Sequence, residues 1–354
     1  MPVPEGKDLD ALMYRLLRMK CPKVLASIIL CLLWTTTVDF NEEYEMLEFF
    51  AGAGNLSRYM KLCGRRTGSL DIKYQTNPSK KSAFKSDPMD ILSPSGFAVA
   101  LACLFKCRPD RFMAMFALKC ASWTAINSGT SNRAPCASIG FDEYPSVLEA
   151  NALCERTIYL LVVVVCLGGV FGLEQPRLSN FEFYPMFLEF RGLCYEVNGG
   201  SSAVWRVGWW MAHYQSLSPK RHYAFSNSQV IQKLDHGKLS GWKKKGKEKL
   251  QTTIQYQSAD GKRCFKGTAA LRKTEEYTVQ FGRCLADLYD EMVISPCGQP
   301  KLPCLLPPAQ ESYQFMGQGF DLGYARLNEV YSYLRRGRNL KIPPGWSHLL
   351  PKPE

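Results

Sequence analysis

The sequence predicts an α/β protein built on a Rossmann-like, doubly wound and mostly parallel sheet. Three observations carry that prediction. Short apolar runs at 46–50, 111–118 and 170–173 alternate with longer stretches of helical periodicity. Two of these runs, Arg111–Leu118 and Val170–Leu173, are almost wholly apolar, as strands buried on both faces are. Each run ends in a polar or glycine-rich segment, the pattern of a sheet whose loops gather at one edge.

Taken in order, residues 1–40 form an N-terminal helical segment in which Leu12, Leu16, Leu17 and Met19 make a partial apolar face. Met46–Phe50 is the first strand and runs into Ala51-Gly52-Ala53-Gly54. Leu56, Tyr59, Met60 and Cys63 then recur at helical spacing, and Gly64 stops that helix. Ser69–Ile72 reads as a second strand carrying Asp71. A polar link, Gln75–Lys85, precedes Ser93-Pro94, which marks a capped helix start with proline in the first turn. The helix over 95–105 leads to the strand 111–118, then to Lys119-Cys120 and a polar loop, 127–133. Pro145–Leu167 is the next helix and 170–173 the next strand, ending on Glu174-Gln175-Pro176. Val204–Trp210 and His222–Ser226 look like a closing antiparallel pair. The domain thus spans 41–230, followed by a basic extension over 231–294 and a proline-rich tail over 295–354.

Composition narrows the setting. The chain has 354 residues, 46% of them hydrophobic, enough for a sizeable core. Its net charge is +12, and residues 220–283 hold fifteen Lys or Arg against five Asp or Glu, so this segment supplies ten of the twelve excess charges. Lys243–Lys249 is its densest run. A clustered excess of this size suits a polyanion, and nucleic acid is the expected partner; a solvated loop is the plainer alternative for the run itself. The fourteen cysteines stand singly, with no C-x-x-C pair and no histidine near Cys103 and Cys107. That spacing points to free thiols in a reducing intracellular compartment, nuclear or cytoplasmic, and to no metal site. Val24–Val38 is short for a membrane span, and Tyr159–Leu173 is broken by Gly168-Gly169 and closed by Glu174. The latter reads as a buried helix, a glycine turn and a strand, with a membrane span as the alternative.

Chemistry is expected where the strands end. Glycines at 52 and 54 let the backbone turn tightly and approach a ligand, and the helix-start N–H groups face that ligand. An acid about twenty residues on, Asp71, can accept both hydroxyls of a ribose. No third glycine and no phosphate-binding lysine follows, so a nucleoside without phosphates fits better than a pyrophosphate. Asp90, Cys120 and Glu174 end successive sheet segments and should share one crevice with the glycine turn. A thiolate beside a carboxylic acid can add to a pyrimidine carbon while the acid protonates the ring nitrogen.

The block Glu48-Phe-Phe-Ala-Gly-Ala-Gly-Asn55 resembles the first motif of S-adenosylmethionine-dependent methyltransferases, most closely that of DNA cytosine-5 methyltransferases. The resemblance covers roughly 45–230 and is strongest in this motif. It implies S-adenosyl-L-methionine as cofactor, held by Glu48, Phe50, Ala51, Gly52, Gly54, Asp71 and Asp90. Phe50 and Asp90 would contact the adenine, Gly52 and Gly54 the methionine part, and Asp71 the ribose. It further implies Cys120 as nucleophile, Glu174 as proton donor and Arg221 as a third catalytic residue, the last from the segment Tyr214–Arg221. The chain departs from the family at Lys119, where proline is usual, at Ala121, where glutamine is usual, and at Gln175, where asparagine follows the glutamate. Asp71-Ile-Lys-Tyr, Ser218-Pro-Lys-Arg and Ser226-Asn-Ser also look like a group of uncharacterised algal methyltransferase-like proteins.

Two functions follow as expectations: a methyltransferase acting on a nucleic-acid base, cytosine C5 among them, or a methyltransferase-like module that binds nucleic acid without turnover. Cys120 is either the nucleophile or a buried core thiol. Trp123, Trp205, Trp209 and Trp210 are either base-stacking platforms or core.

Overall fold

The computed structural model describes residues 9–33, 44–74, 87–109, 111–198, 200–240, 252–261 and 263–294. The run Lys243–Lys249 and the tail over 295–354 lie outside the described residues. The chain opens with two helices, α1 (Leu9–Arg18) and α2 (Lys23–Leu33). Then come β1 (Met46–Phe49), α3 (Asn55–Leu62), β2 (Thr67–Leu70), α4 (Pro94–Phe105) and β3 (Met113–Phe116). A short turn of helix, α5 (Ser128–Ser131), precedes α6 (Pro145–Cys166), β4 (Val170–Pro176) and α7 (Pro185–Asn198). The strands β5 (Trp205–Trp210) and β6 (Arg221–Ser226) close the main sheet. Beyond them lie a hairpin, β7 (Thr253–Gln257) and β8 (Arg263–Gly267), and two helices, α8 (Ala269–Lys273) and α9 (Val279–Ile294).

Six strands pair in the order β2-β1-β3-β4-β6-β5. The first four run parallel, with Phe49 opposite both Leu70 and Phe116, and Phe116 opposite Leu173. Strand β6 runs antiparallel to β4 and β5, placing His222 beside Trp209 and Arg221 beside Trp210. The mixed α/β sheet is therefore compatible with a Rossmann-like fold.

Period-two alternation splits each strand between two cores. Leu47, Phe49, Phe116, Phe171, Tyr223 and Phe225 face one side, where α4, α6 and α7 cover them. The rings of Phe49 and Phe116 stack there at 4.6 Å. The N-terminal helices join this same core through Leu12, Leu16, Leu25 and Ile29, all buried, and Arg15 donates to the carbonyl of Cys166. They are built into the domain rather than appended to it. Met46, Met115, Val207, Trp209 and Ala224 face the other side, covered by α3 and α9. Here Phe281, Leu285, Tyr289 and Met292 of α9 are buried, and the Trp209 and Phe281 rings stack at 5.5 Å.

The segment expected as a basic extension thus holds the helix that covers one face of the sheet. The Tyr289 hydroxyl lies within hydrogen-bond distance of the carbonyls of Glu45 (3.1 Å) and Arg111 (2.8 Å), at the start of two parallel strands. The apolar stretch 159–173 is the end of α6, a glycine turn and β4. Among the described residues no helix is long and apolar enough to cross a membrane. Trp123 and Trp209 are fully buried, which removes them as stacking platforms, while Trp205 and Trp210 are partly exposed.

Candidate active site

At the C-terminal end of β1 the chain enters the left-handed region three times, at Phe50 (φ 59°), Gly52 (φ 56°) and Gly54 (φ 66°). At Gly54 a Cβ would also lie 2.9 Å from the Tyr74 hydroxyl, so both conformation and space favour glycine. This turn feeds α3 directly. Gly54 offers no side chain to cap the helix, and the Glu48 carboxylate from β1 does so instead, accepting from Ser57 N–H at 2.9 Å. Glu48 is fully buried beneath the turn, and burial pushes its carboxyl above the usual range. Glu48 and Gly54 shape the turn from behind, while Phe50, Ala51 and Gly52 line a cavity of about 740 Å³ in front of it.

Asp71 lies where β2 ends. Its Oδ2 accepts from Gly52 N–H at 2.7 Å and its Oδ1 from Lys73 N–H at 2.8 Å. These bonds fix the carboxylate at the cavity wall, and a carboxylate retains lone pairs for further hydroxyl donors. Asp90 lines the same cavity, buried, with Oδ1 accepting from Leu92 N–H. Its loop is pinned by Arg156 of α6, whose guanidinium donates to the carbonyls of Ile91 and Ser93. The Ser93 hydroxyl caps α4 by accepting from Gly96 N–H at 2.8 Å.

Cys120 and Glu174 both line the cavity, as the strand order requires. Lys119, next to the thiol in sequence, turns to Glu149 on α6 (3.5 Å), and the cation that acts on the thiol is Lys220. Burial outweighs it and pushes the Cys120 thiol up. Native-state alkylation with iodoacetamide near pH 7 should therefore label exposed Cys31, Cys63 and Cys136 before Cys120. Labelling of Cys120 should accelerate only as pH climbs past the ordinary thiol range. Mass mapping that finds Cys120 modified as fast as Cys136 at pH 7 would contradict this.

Glu174 is buried on β4 with both oxygens engaged: Oε1 pairs with Nδ1 of His222, and Oε2 accepts from the Tyr277 hydroxyl at 3.0 Å. Burial alone would raise its carboxyl, but His222, Lys220 and Tyr277 together outweigh burial and hold it below the usual range. Glu174 starts as a carboxylate, so a proton given to substrate from this position must first come from elsewhere. Arg221 does not reach the cavity. It occupies the opposite pleat of β6 from His222, with its guanidinium 5.3 Å from the Trp210 ring centre.

Four contributors escaped the sequence reading: His222, Lys220, Tyr277 and the hairpin that closes the cavity through Thr253, Phe265 and Gly267. His222 was recoverable from strand phase, because the Tyr223 and Phe225 side chains claim one face and leave His222 on the other. Tyr277 had no such signal in its charged surroundings. Among the described residues no cluster of His, Cys, Asp and Glu is arranged to hold a metal ion. The chain matches no protein-family model, no curated protein and no solved structure.

Proposed function

We propose that this chain is an S-adenosylmethionine-dependent methyltransferase acting on a nucleic-acid base. The observation that carries the reading is the Asp71 carboxylate tied to Gly52 N–H on the wall of a cavity shared with Asp90, Cys120 and Glu174. A nucleoside placed there has a carboxylate for its ribose hydroxyls, the Phe50 side and Asp90 for its base, and the glycine turn for the amino-acid part. The positive methyl donor would meet Glu174, a carboxylate already ionised. The cofactor supplies an electrophilic methyl group; the protein's residues bind it, orient it and manage the charge that disappears on transfer. The basic segment 220–283 supports a polyanionic substrate, and its hairpin forms part of the cavity roof.

Calorimetry with S-adenosylmethionine should show binding to the wild type. Asp71→Ala should weaken it by roughly 1.5–3 kcal/mol, the usual worth of hydrogen bonds to a charged acceptor. No heat from the wild type at millimolar ligand would overturn the reading.

Two observations favour a second reading, the binding module without turnover: burial keeps Cys120 in its thiol form, and Lys119 is drawn away to Glu149. Cofactor binding without methylation of any nucleic acid would select it.

A further inference from the structure

Three groups from distant parts of the chain meet inside the cavity: Glu174 on β4, His222 on β6 and Tyr277 just before α9. His222 is 5% exposed, lies against the Trp209 ring, and lends Nδ1 to Glu174. Its other ring nitrogen, Nε2, is buried and has no hydrogen-bond partner among the described residues. A buried polar atom left dry costs free energy and persists where something else is to occupy it. A carboxylate on Nδ1 fixes the proton there and leaves Nε2 as a bare acceptor, and it then stabilises the imidazolium once Nε2 takes a proton.

Replacing hydrogen by methyl at any acceptor atom releases one proton. We infer that the Nε2 atom of His222, oriented by Glu174, accepts the proton that the incoming methyl group displaces. The inference rests on the methyl-transfer reading above and deepens it. In the balanced step the sulfur–methyl bond breaks and its electron pair stays on sulfur, which becomes neutral. A lone or π pair of the acceptor forms the new bond to carbon. The acceptor's proton passes to Nε2, so the positive charge lost by sulfonium reappears on an imidazolium paired with Glu174. The other groups acting on Glu174, the imidazole's partner, are Lys220 and the Tyr277 hydroxyl, and Glu48 acts in turn on Tyr277.

The tautomer tests the geometry without any substrate. Nitrogen-15 NMR of the full-length protein near pH 7.5 should show His222 protonated on Nδ1 with Nε2 bare; a proton on Nε2 instead overturns the inference. Transfer of labelled methyl from S-adenosylmethionine to total RNA and denatured genomic DNA tests the chemistry. His222→Gln, whose amide can still donate to Glu174, should lower the rate about 10²–10⁴-fold, far more than it lowers cofactor affinity by calorimetry. A variant that transfers methyl at the wild-type rate, or a wild type that binds cofactor calorimetrically yet labels neither pool, overturns the inference. Absence of cofactor binding brings down the parent reading first, so the two failures are distinct.

Discussion

Replacing His222 by leucine is expected to cost about 3–5 kcal/mol of folding stability at neutral pH, the range for a buried pair that loses one partner. The Glu174 carboxylate stays behind in the interior of the sheet, with only the Tyr277 hydroxyl and the Lys220 charge still favouring it. The sign of the pH dependence separates this from simple loss of packing. In the wild type the Glu174 carboxyl is held below its usual range, so its contribution is present above the unfolded value and is lost as pH falls through the lower, folded one. Without His222, burial dominates and raises the carboxyl. The variant's deficit should then shrink as acid protonates Glu174. Urea unfolding at pH 7.5 and at pH 5 measures this directly, and a deficit equal at both values would show that charge is not the cause.

Gly96→Ala should cost about 2–3 kcal/mol, at the upper end for overpacking. A Cβ at this position would sit 1.9 Å from the Asp90 carbonyl oxygen and 3.0 Å from that of Asp87. The backbone has little room to yield. Ser93 N–H is bonded to the same Asp90 oxygen at 2.8 Å, and Arg156 grips the carbonyls of Ile91 and Ser93. Any shift displaces the Asp90 segment that lines the cavity, so affinity for S-adenosylmethionine should fall together with stability. Gly192→Ala on α7 is the matched control, because nothing lies within 4 Å of its added Cβ and alanine favours a helix. If thermal denaturation gave both variants the melting temperature of the wild type, the tight contact at Gly96 would carry no cost.

What the sequence made legible follows from which signals are local. The glycine turn, its helix and Asp71 appear where expected because φ and spacing are set by a few adjacent residues. Ser93-Pro94 marked the start of α4 for the same reason. The fold then brings Cys120, just after β3, and Glu174, within β4, to one cavity, and Asp90 joins them from the loop before α4 rather than from a strand end. Partner identity was not legible. That Lys119 belongs to Glu149 and Glu174 to His222 depends on contacts across 30 and 48 positions. Motif likeness points to Arg221, one residue short of His222, and a shift of one residue on a strand selects the opposite face. Helix α9 is legible in the sequence, since Phe281, Leu285, Tyr289 and Met292 follow helical spacing, but its place against the sheet depends on contacts with residues far away in the chain.

That last helix has a consequence for how the protein comes into being. A ribosome releases the six strands of the main sheet well before residues 279–294, so Met46, Met115, Val207 and Trp209 wait without their cover while synthesis continues. Exposed apolar sheet surface of this kind is what chaperones hold and what aggregates in their absence. When α9 arrives, the Tyr289 hydroxyl closes over the starts of β1 and β3, tying the latest residues of the domain to strands made early in translation. A messenger truncated near codon 240 would therefore yield every strand of the main sheet and still no folded domain.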